Sequence, residues 1–508
     1  MGKRKARIVA EGSSTVEHEL RLAGQADALV AAFDTPQMLA DDSGPDKATS
    51  LENCYFDTEN YGLRAKGLAF RIRKRGETFV QTLKVGDNAQ GALLSRGEYE
   101  VTLENGDLKP DALPKQGAAI LAETARGDDL REIFKTRVER RTRRLQLHGD
   151  ETSAARVEAS LDLGEITTDA GSEPIAEIEL ELIKGRTDTL YQLALELQET
   201  GSFRLETRSK SSRAYDLLAG EPPAWFRGAS LPLSRSDTVD ETMTSIFAAC
   251  FRHWLGNQAA ALDGRDPEGV HQMRVGLRRL RSALSIFRKL IPEDQLAWLQ
   301  PGAKAAINSL GSARDWDVFK ADLLAPVINA QPDERMLHNL KRKAETRARQ
   351  SYRLARKNLT GDTYTRFVLR FGQWLESRAW QRGRTPDGDK LGARSIVGFA
   401  VRTLKKHHGK ALASGDDFAD LPVPRRHELR IQLKKLRYAT EFFVPLFDKK
   451  TAKPYVRTLK ALQNDLGHLN DVAVAETLLA DLLGRIGKRD DPVLLGRAAG
   501  LVIGWHAR

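Results

Sequence analysis

Up to about residue 218 the chain consists of short segments in which apolar and polar residues alternate with a period of two, separated by turns containing Gly and Asp. That alternation predicts β-strands. In Thr15-Val-Glu-His-Glu-Leu-Arg-Leu22 it sets Glu17, Glu19 and Arg21 on one face and Val16, His18, Leu20 and Leu22 on the other. Residues 176–182 repeat the arrangement, with Glu177, Glu179 and Glu181 opposing Ile178, Leu180 and Leu182. Other segments carry basic faces: Arg71, Arg73 and Arg75; Thr82 and Lys84; Lys135, Arg137 and Arg141. Arg96, Glu98 and Glu100 form a mixed one.

After residue 238 the apolar spacing changes to three and four, which predicts helices over 239–262, 269–291, 334–358, 363–380 and 426–447. Between the two patterns, residues 219–237 hold three prolines and no periodicity, the character of a linker. The helical half also repeats itself. His271, Arg274, Arg278, Arg279 and Arg281 are matched 156 residues later by His427, Arg430, Lys434, Lys435 and Arg437. Leu310, Gly311, Asp315 and Val318 correspond to Leu466, Gly467, Asp471 and Val474 at the same offset. Two copies of one helical unit follow. The expected fold is therefore α+β in two domains: an antiparallel β tunnel or barrel over 1–218, a linker over 219–237, and an all-α helical bundle with an internal duplication over 238–508.

A length of 508 residues suits two cores better than one. The net charge of +11 conceals a division: residues 231–508 hold 48 Lys and Arg against 30 Asp and Glu, or +18, which leaves −7 for residues 1–230. A basic second half points to a polyanionic partner. No apolar stretch is long enough to span a bilayer, and no membrane partner is expected. The opening MGKRKARIVAEG has no apolar stretch of the secretory kind, and two cysteines, Cys54 and Cys250, form neither a disulfide framework nor a zinc site. A cytoplasmic protein is expected.

Several strands with mixed-sign ionic faces make sense if they close into a barrel with those faces inward. Acidic and basic side chains would then share a polar tunnel, where carboxylates hold hard divalent cations and Arg and Lys neutralise phosphate oxygens. In order along the chain, Glu17-x-Glu19-x-Arg21, Tyr55-Phe-Asp-Thr58, Leu68-Ala-Phe-Arg-Ile-Arg73, Thr82-Leu-Lys84, Arg96-Gly-Glu-Tyr-Glu100, Asp162, Glu177-Ile-Glu179 and Ser209-Lys-Ser-Ser-Arg213 resemble the CYTH family of triphosphate tunnel metalloenzymes. The resemblance implies Mg²⁺ or Mn²⁺ on Glu17, Glu19, Asp162, Glu177 and Glu179. It implies a triphosphate held by Arg71, Arg73, Lys84, Arg137, Arg141, Lys210 and Arg213, and a catalytic role for Glu17, Glu19, Arg21 and Lys84. Arg21 stands where the family usually has lysine, keeping the charge in a planar, bulkier head.

On a helix, His271, Arg274, Arg278 and Arg281 fall within an arc of about 80°, beside a separate apolar face of Val270, Met273, Leu277, Leu280 and Leu284. The stripe lacks balancing acids and occurs twice, which a polyanion between the copies would explain. The duplicated His-x-x-Arg units resemble the CHAD family, helical domains associated with inorganic polyphosphate. The resemblance implies polyphosphate binding by His271, Arg274, Arg278, Arg281, His427, Arg430, Lys434 and Arg437, with Lys341, Arg342 and Lys343 as weaker candidates, and contact with polyphosphate granules. The histidines are expected to gain charge as pH falls toward about 6.5. The leading function is a metal-dependent inorganic triphosphatase, splitting tripolyphosphate into pyrophosphate and phosphate, with a polyphosphate-binding module. A non-catalytic granule adaptor and a class IV adenylyl cyclase are the alternatives. Nucleic acid is disfavoured because no RNA- or DNA-binding motif is recognisable.

Overall fold

The computed structural model describes residues 16–38, 48–90, 93–147, 154–415, 421–485, 487 and 491–506. The strands are β1 (Val16–Ala23), β2 (Thr49–Asp57), β3 (Leu68–Arg75), β4 (Thr78–Gln90), β5 (Leu93–Leu103), β6 (Arg131–Leu147), β7 (Ala155–Thr168), β8 (Gly171–Lys184) and β9 (Arg204–Leu205). Among them lie helices α1 (Ala26–Phe33), α2 (Gly62–Ala65), α3 (Lys115–Ala125), α4 (Asp188–Leu197) and α5 (Lys210–Ala219). The rest is helical: α6 (Val239–Gly256), α7 (Gln258–Asp263), α8 (Pro267–Ile286), α9 (Glu293–Ser309), α10 (Gly311–Val318), α11 (Ala325–Ala330), α12 (Arg335–Leu359) and α13 (Asp362–Glu376). These are followed by α14 (Pro386–Gly392), α15 (Ile396–Ala413), α16 (Val423–Phe443), α17 (Lys449–Leu483) and α18 (Pro492–His506). An antiparallel β unit followed by a helical one is the expected fold class.

The chain forms two compact units, residues 1–223 with 360–377 and residues 224–359 with 378–508. In the first, the strands run β5-β4-β3-β2-β6-β7-β8-β1-β9 and are antiparallel throughout, and a further pairing of β1 with β5 closes eight of them into a cylinder. Closure removes the unpaired edges and sends alternate side chains inward. Outward residues of β1 and β8, including Leu20, Leu22, Ile178 and Leu180, are fully buried beneath α1 and α4. A second outer cluster sets Phe70 and Leu83 against Leu63 and Leu121. Helix α5 starts at Ser209, whose Oγ accepts from Ser212 N at 3.0 Å, a serine N-cap. Its Ala214 and Tyr215 pack with Tyr55, Phe134 and Val138.

Helix α13 comes from within the helical half of the sequence but packs with the first unit, on α4. Its Val368, Leu369, Phe371 and Leu375 are buried, Gly372 lies against the Tyr191 ring, and Asp362 accepts from Gln198 at 3.1 Å and Ser202 at 2.6 Å. The stretch expected as a linker is in part packed: Trp225 Nε1 donates to Asp266 and Phe226 N to Asn257 Oδ1, both within the second unit.

The duplication is visible in the helix boundaries of that second unit. Adding 156 to the limits of α6, α8 and α12 gives the starts of α15, α16 and α18 to within a residue, and α9 with α10 maps onto the single long α17. The copies share one core, in which Trp316, Phe319, Leu337 and Leu340 of the first meet Ala475, Leu479, Leu495 and Val502 of the second. Asp266 caps α8 by accepting from Glu268 N, with Pro267 at the first helical position.

Candidate functional site

Inward-facing residues of the cylinder enclose a cavity of about 240 Å³. Strand register explains its polarity. Neighbouring β7, β8 and β1 set Asp162 opposite Glu177, Ser160 opposite Glu179, Glu158 opposite Glu181, and Arg21 opposite Glu179, so one wall is largely carboxylate. Arg71 and Arg73 of β3 and Lys84 of β4 line the other side with Tyr55 and Asn53. Helix α5 adds Ser209, Lys210 and Ser211 at its N-terminus.

The charges are tied together. Arg21 Nε meets Glu19 at 2.5 Å and Glu179 at 3.2 Å. Lys210 Nζ meets Asp162 at 2.7 Å and Glu179 at 2.6 Å, and it pairs with Glu177. Arg140 donates to Asp162 at 2.6 Å and also pairs with Glu179. Lys84 bridges Glu17 at 3.2 Å and Glu98. Burial alone would raise Glu179, but Lys210, Arg140 and Arg21 hold it well below the usual carboxylate range. Burial raises Glu177 and Glu17. It also pushes Glu181 up to about 8, with Glu17, Glu158 and Glu19 adding repulsion. On the basic side, burial and the neighbouring Arg71 and Arg140 bring Arg73 down to about 10.

Asp162, Glu177 and Glu179 each offer an oxygen, all within 4.8 Å of one another. This all-oxygen donor set from adjacent strands fits a hard divalent cation. Eight carboxylates line the cavity against six Arg and Lys, so a highly charged anion needs added positive charge to enter.

Of the residues expected from sequence, the structure brings Glu17, Glu19, Arg21, Arg71, Arg73, Lys84, Asp162, Glu179 and Lys210 to the cavity, with Glu177 directly behind Lys210. Arg213 is buried against Glu173 and Glu177 and braces the carboxylate wall rather than lining it. Two further expectations are corrected. Arg137 is exposed and pairs with Glu52 at 3.1 Å, and Arg141 pairs with Asp34 at 2.7 Å beside the Phe33 ring. Both point away from the tunnel, and Arg140 of the opposite parity points in. The physical reason is that the inward face of β6 is apolar at one end, where Phe134 and Val138 meet α5, and ionic at the other. Reading its ionic and apolar residues as opposite faces therefore selects the wrong parity. Sequence reasoning also missed Glu158 and the lining roles of Tyr55 and Asn53. The side chain of Arg96 lies outside the described residues.

In the second unit, α8 and α16 lie side by side and their stripes meet. Arg278 Nε donates to Tyr438 Oη at 3.1 Å across the two copies, and the Arg437 guanidinium lies 4.8 Å over that ring. Arg274 faces Asp315 electrostatically, and the equivalent Arg430 faces the equivalent Asp471. The two aspartates also sense each other, so the site has the symmetry of the duplication. Nε of Arg274 and Nε of Arg430 are buried and have no hydrogen-bond acceptor among the described residues, an expensive arrangement unless a ligand accepts from them.

Burial and neighbouring cations depress these groups. Lys434 falls to about 7 through burial together with Arg430 and Arg278, and Arg274 to about 10 through burial and Arg278. His271 falls to about 4 through burial and Arg314. That corrects the expectation that the histidine gains charge near pH 6.5. Arg281 is exposed one turn further along the stripe, and the side chain of His427 lies outside the described residues. Tyr438, Arg314, Asp315 and Asp471 complete the cluster and were not assigned to it from sequence. No described helix is long and apolar enough to cross a membrane.

A model of the CYTH domain matches residues 28–215, and a model of the CHAD domain matches residues 245–480. An uncharacterized protein of Mycobacterium tuberculosis is 25% identical over 410 residues, 76% of this chain and 75% of that protein. An inorganic triphosphatase of Haemophilus influenzae is 26% identical over 165 residues, 32% of this chain and 45% of that protein. Among solved structures, the CHAD domain from the plant Ricinus communis shares 31% identity with a TM-score of 0.49, covering 56% of this chain and 92% of that one.

Proposed function

The chain belongs to the proteins that join a CYTH domain to a CHAD domain, and from that premise we propose that its tunnel is a divalent-metal-dependent inorganic triphosphatase and its helical unit binds long-chain polyphosphate. The observation that carries the first half is the carboxylate group of Asp162, Glu177 and Glu179 in the wall of a cavity whose other side is lined by Arg71, Arg73 and Lys84. Simple anion capture has little use for three buried carboxylates, whereas a metal-bound phosphate needs them. Asp162, Glu177 and Glu179, with Glu17 and Glu19 of the same cavity, would hold Mg²⁺ or Mn²⁺. The metal neutralises phosphate oxygens and polarises the anhydride bond when bound. Arg71, Arg73 and Lys84 hold and orient the phosphate chain, and Arg140 and Lys210, which pair with the carboxylates, position them and meet the substrate's outer oxygens. The relative of that name in Haemophilus influenzae supports tripolyphosphate as substrate.

For the helical unit, the support is the crowded cationic cluster of Arg274, Arg278, Arg430 and Lys434, in which Nε of Arg274 and of Arg430 is a buried donor without an acceptor among the described residues. Contact with polyphosphate granules in the cytoplasm follows as part of the same reading. The deciding experiment is phosphate release from tripolyphosphate, ATP, thiamine triphosphate and long-chain polyphosphate, each with Mg²⁺ and with Mn²⁺. Preference for tripolyphosphate is expected. Binding without turnover of any of them would refute the hydrolase and leave the adaptor.

A further inference from the structure

Helix α12, which holds the weaker candidates Lys341, Arg342 and Lys343, carries charge outside both sites described above. It holds nine Lys and Arg and a single acid, Glu345. Arg335, Arg342, Arg349 and Arg356 recur every seven residues, so each stands two turns beyond the last and only about 20° round the helix. Arg353 lies on the same line as Arg335, five turns on. Leu337, Leu340, Ala344, Ala348, Ala355 and Leu359 are buried on the opposite side, so core packing fixes which face the arginines present.

Arg335, Arg342, Arg349 and Arg353 are exposed, and none of them pairs with a carboxylate among the described residues. Arg342 and Arg349 donate instead to Asn339 and Thr346 of their own helix. This distinguishes them from Arg347, which meets Asp481 at 3.5 Å, and from Arg356, which caps the carbonyls of Leu262 and Asp263. A row of like charges weakens a free helix, and no carboxylate among the described residues pairs with these four.

Helix α12 packs on α10, which in turn packs on α8. Ser312 and Ser351 share a hydrogen bond of 2.8 Å between α10 and α12, and Tyr352 Oη donates to Asp317 at 2.7 Å. Arg314 of α10 acts electrostatically on His271 and Arg274 on one side and on Tyr352 on the other. Arg314 thus stands between the α8 cations and α12. The span from Arg335 to Arg353 is about 27 Å, which a triphosphate cannot cover.

We propose that the exposed arginine row of α12 is a track along which a long polyphosphate chain continues beyond the α8 and α16 cluster, so that the helical unit selects for chain length. The inference rests on the reading of that cluster as a polyphosphate site. A single flexible phosphate chain fits better than nucleic acid, because the row offers guanidinium groups and no free aromatic ring for stacking bases.

The test uses the full chain in EDTA, which silences the metal-dependent tunnel, and compares wild type, the triple variant R342E/R349E/R353E and R278E. Each is titrated with tripolyphosphate, long-chain polyphosphate and duplex DNA, with circular dichroism as a folding check. The triple variant is expected to bind long chains at least about tenfold more weakly, with a salt slope shallower by about two for three lost contacts, and to bind tripolyphosphate as wild type does. R278E is expected to weaken both. Unchanged long-chain binding in the triple variant overturns the track, as does equal loss for both lengths. Loss of DNA binding alone would assign the row to nucleic acid. If R278E leaves every affinity unchanged, the cluster reading fails, a result separable from that of the triple variant.

Discussion

The tunnel and the helical cluster are both rich in Arg and Lys, yet their charges are managed in opposite ways. In the tunnel four of the six lining cations, Arg21, Lys84, Arg140 and Lys210, have a carboxylate within ion-pair distance. Between α8 and α16, Arg278, Arg430 and Lys434 crowd one another, and the acids beside them include Asp315 and Asp471. Burial raises both aspartates. A balanced site repels a polyanion until metal tips the balance, whereas an uncompensated one attracts it directly. The difference predicts hydrolysis that needs metal and binding that does not.

The largest effect that sharpens this contrast lies in the tunnel. Arg140→Ala breaks pairs with Asp162 and Glu179, and it should lower kcat/KM for tripolyphosphate by roughly a hundredfold, about 2.7 kcal/mol. Arg137→Ala, three residues away but outside, should change it by less than about 0.5 kcal/mol. Steady-state kinetics on both variants checks the pair, and equal losses would contradict the inward assignment of Arg140.

That pair also marks where the sequence was legible. Alternation in β1, β3 and β8 reads correctly because their ionic and apolar residues fall on opposite faces, as Glu177 and Glu179 do against Ile178 and Leu180. The run from Arg137 to Arg144 on β6 has arginine on both parities, and only packing with α5 decides which points inward. In the helical half, the 156-residue offset exposed the duplication and its facing stripes. It could not show that α13 packs on α4, because amphipathic periodicity says that a helix buries a face but not against what. Nor could it show how deeply His271 is buried, which moves its titration away from neutrality.

Next in size, Arg278→Glu and Lys434→Glu should each weaken long-chain polyphosphate binding by roughly 1 to 3 kcal/mol. Because Arg278 bonds Tyr438 across the copies, the two losses should not add, since chain held by one copy raises the local phosphate concentration at the other. Additive losses in a double-mutant titration would split the cluster into two sites. Gly372→Ala tests α13: a Cβ there would overlap the Tyr191 ring. Calorimetry should show the first unit destabilised by about 1 to 3 kcal/mol, with polyphosphate affinity unchanged.

The smallest effect is a pH dependence. Lys434 titrates at about 7 in the free protein, and a bound polyanion raises it. Between those two values the complex holds more protons than the free protein, so affinity is flat below pH 7 and falls as pH rises above it, by at most about tenfold per unit. Lys434→Arg should flatten the profile. A profile that rises between pH 7 and 8 would contradict the assignment.

The central claim is tested most directly by measuring two properties of the intact protein in one sample, phosphate release from tripolyphosphate and equilibrium binding of long-chain polyphosphate, before and after chelation of divalent metal with EDTA. The account predicts that chelation abolishes release, that Mg²⁺ or Mn²⁺ restores it, and that polyphosphate binding persists throughout. Undiminished release in EDTA, or loss of binding together with release, would contradict it.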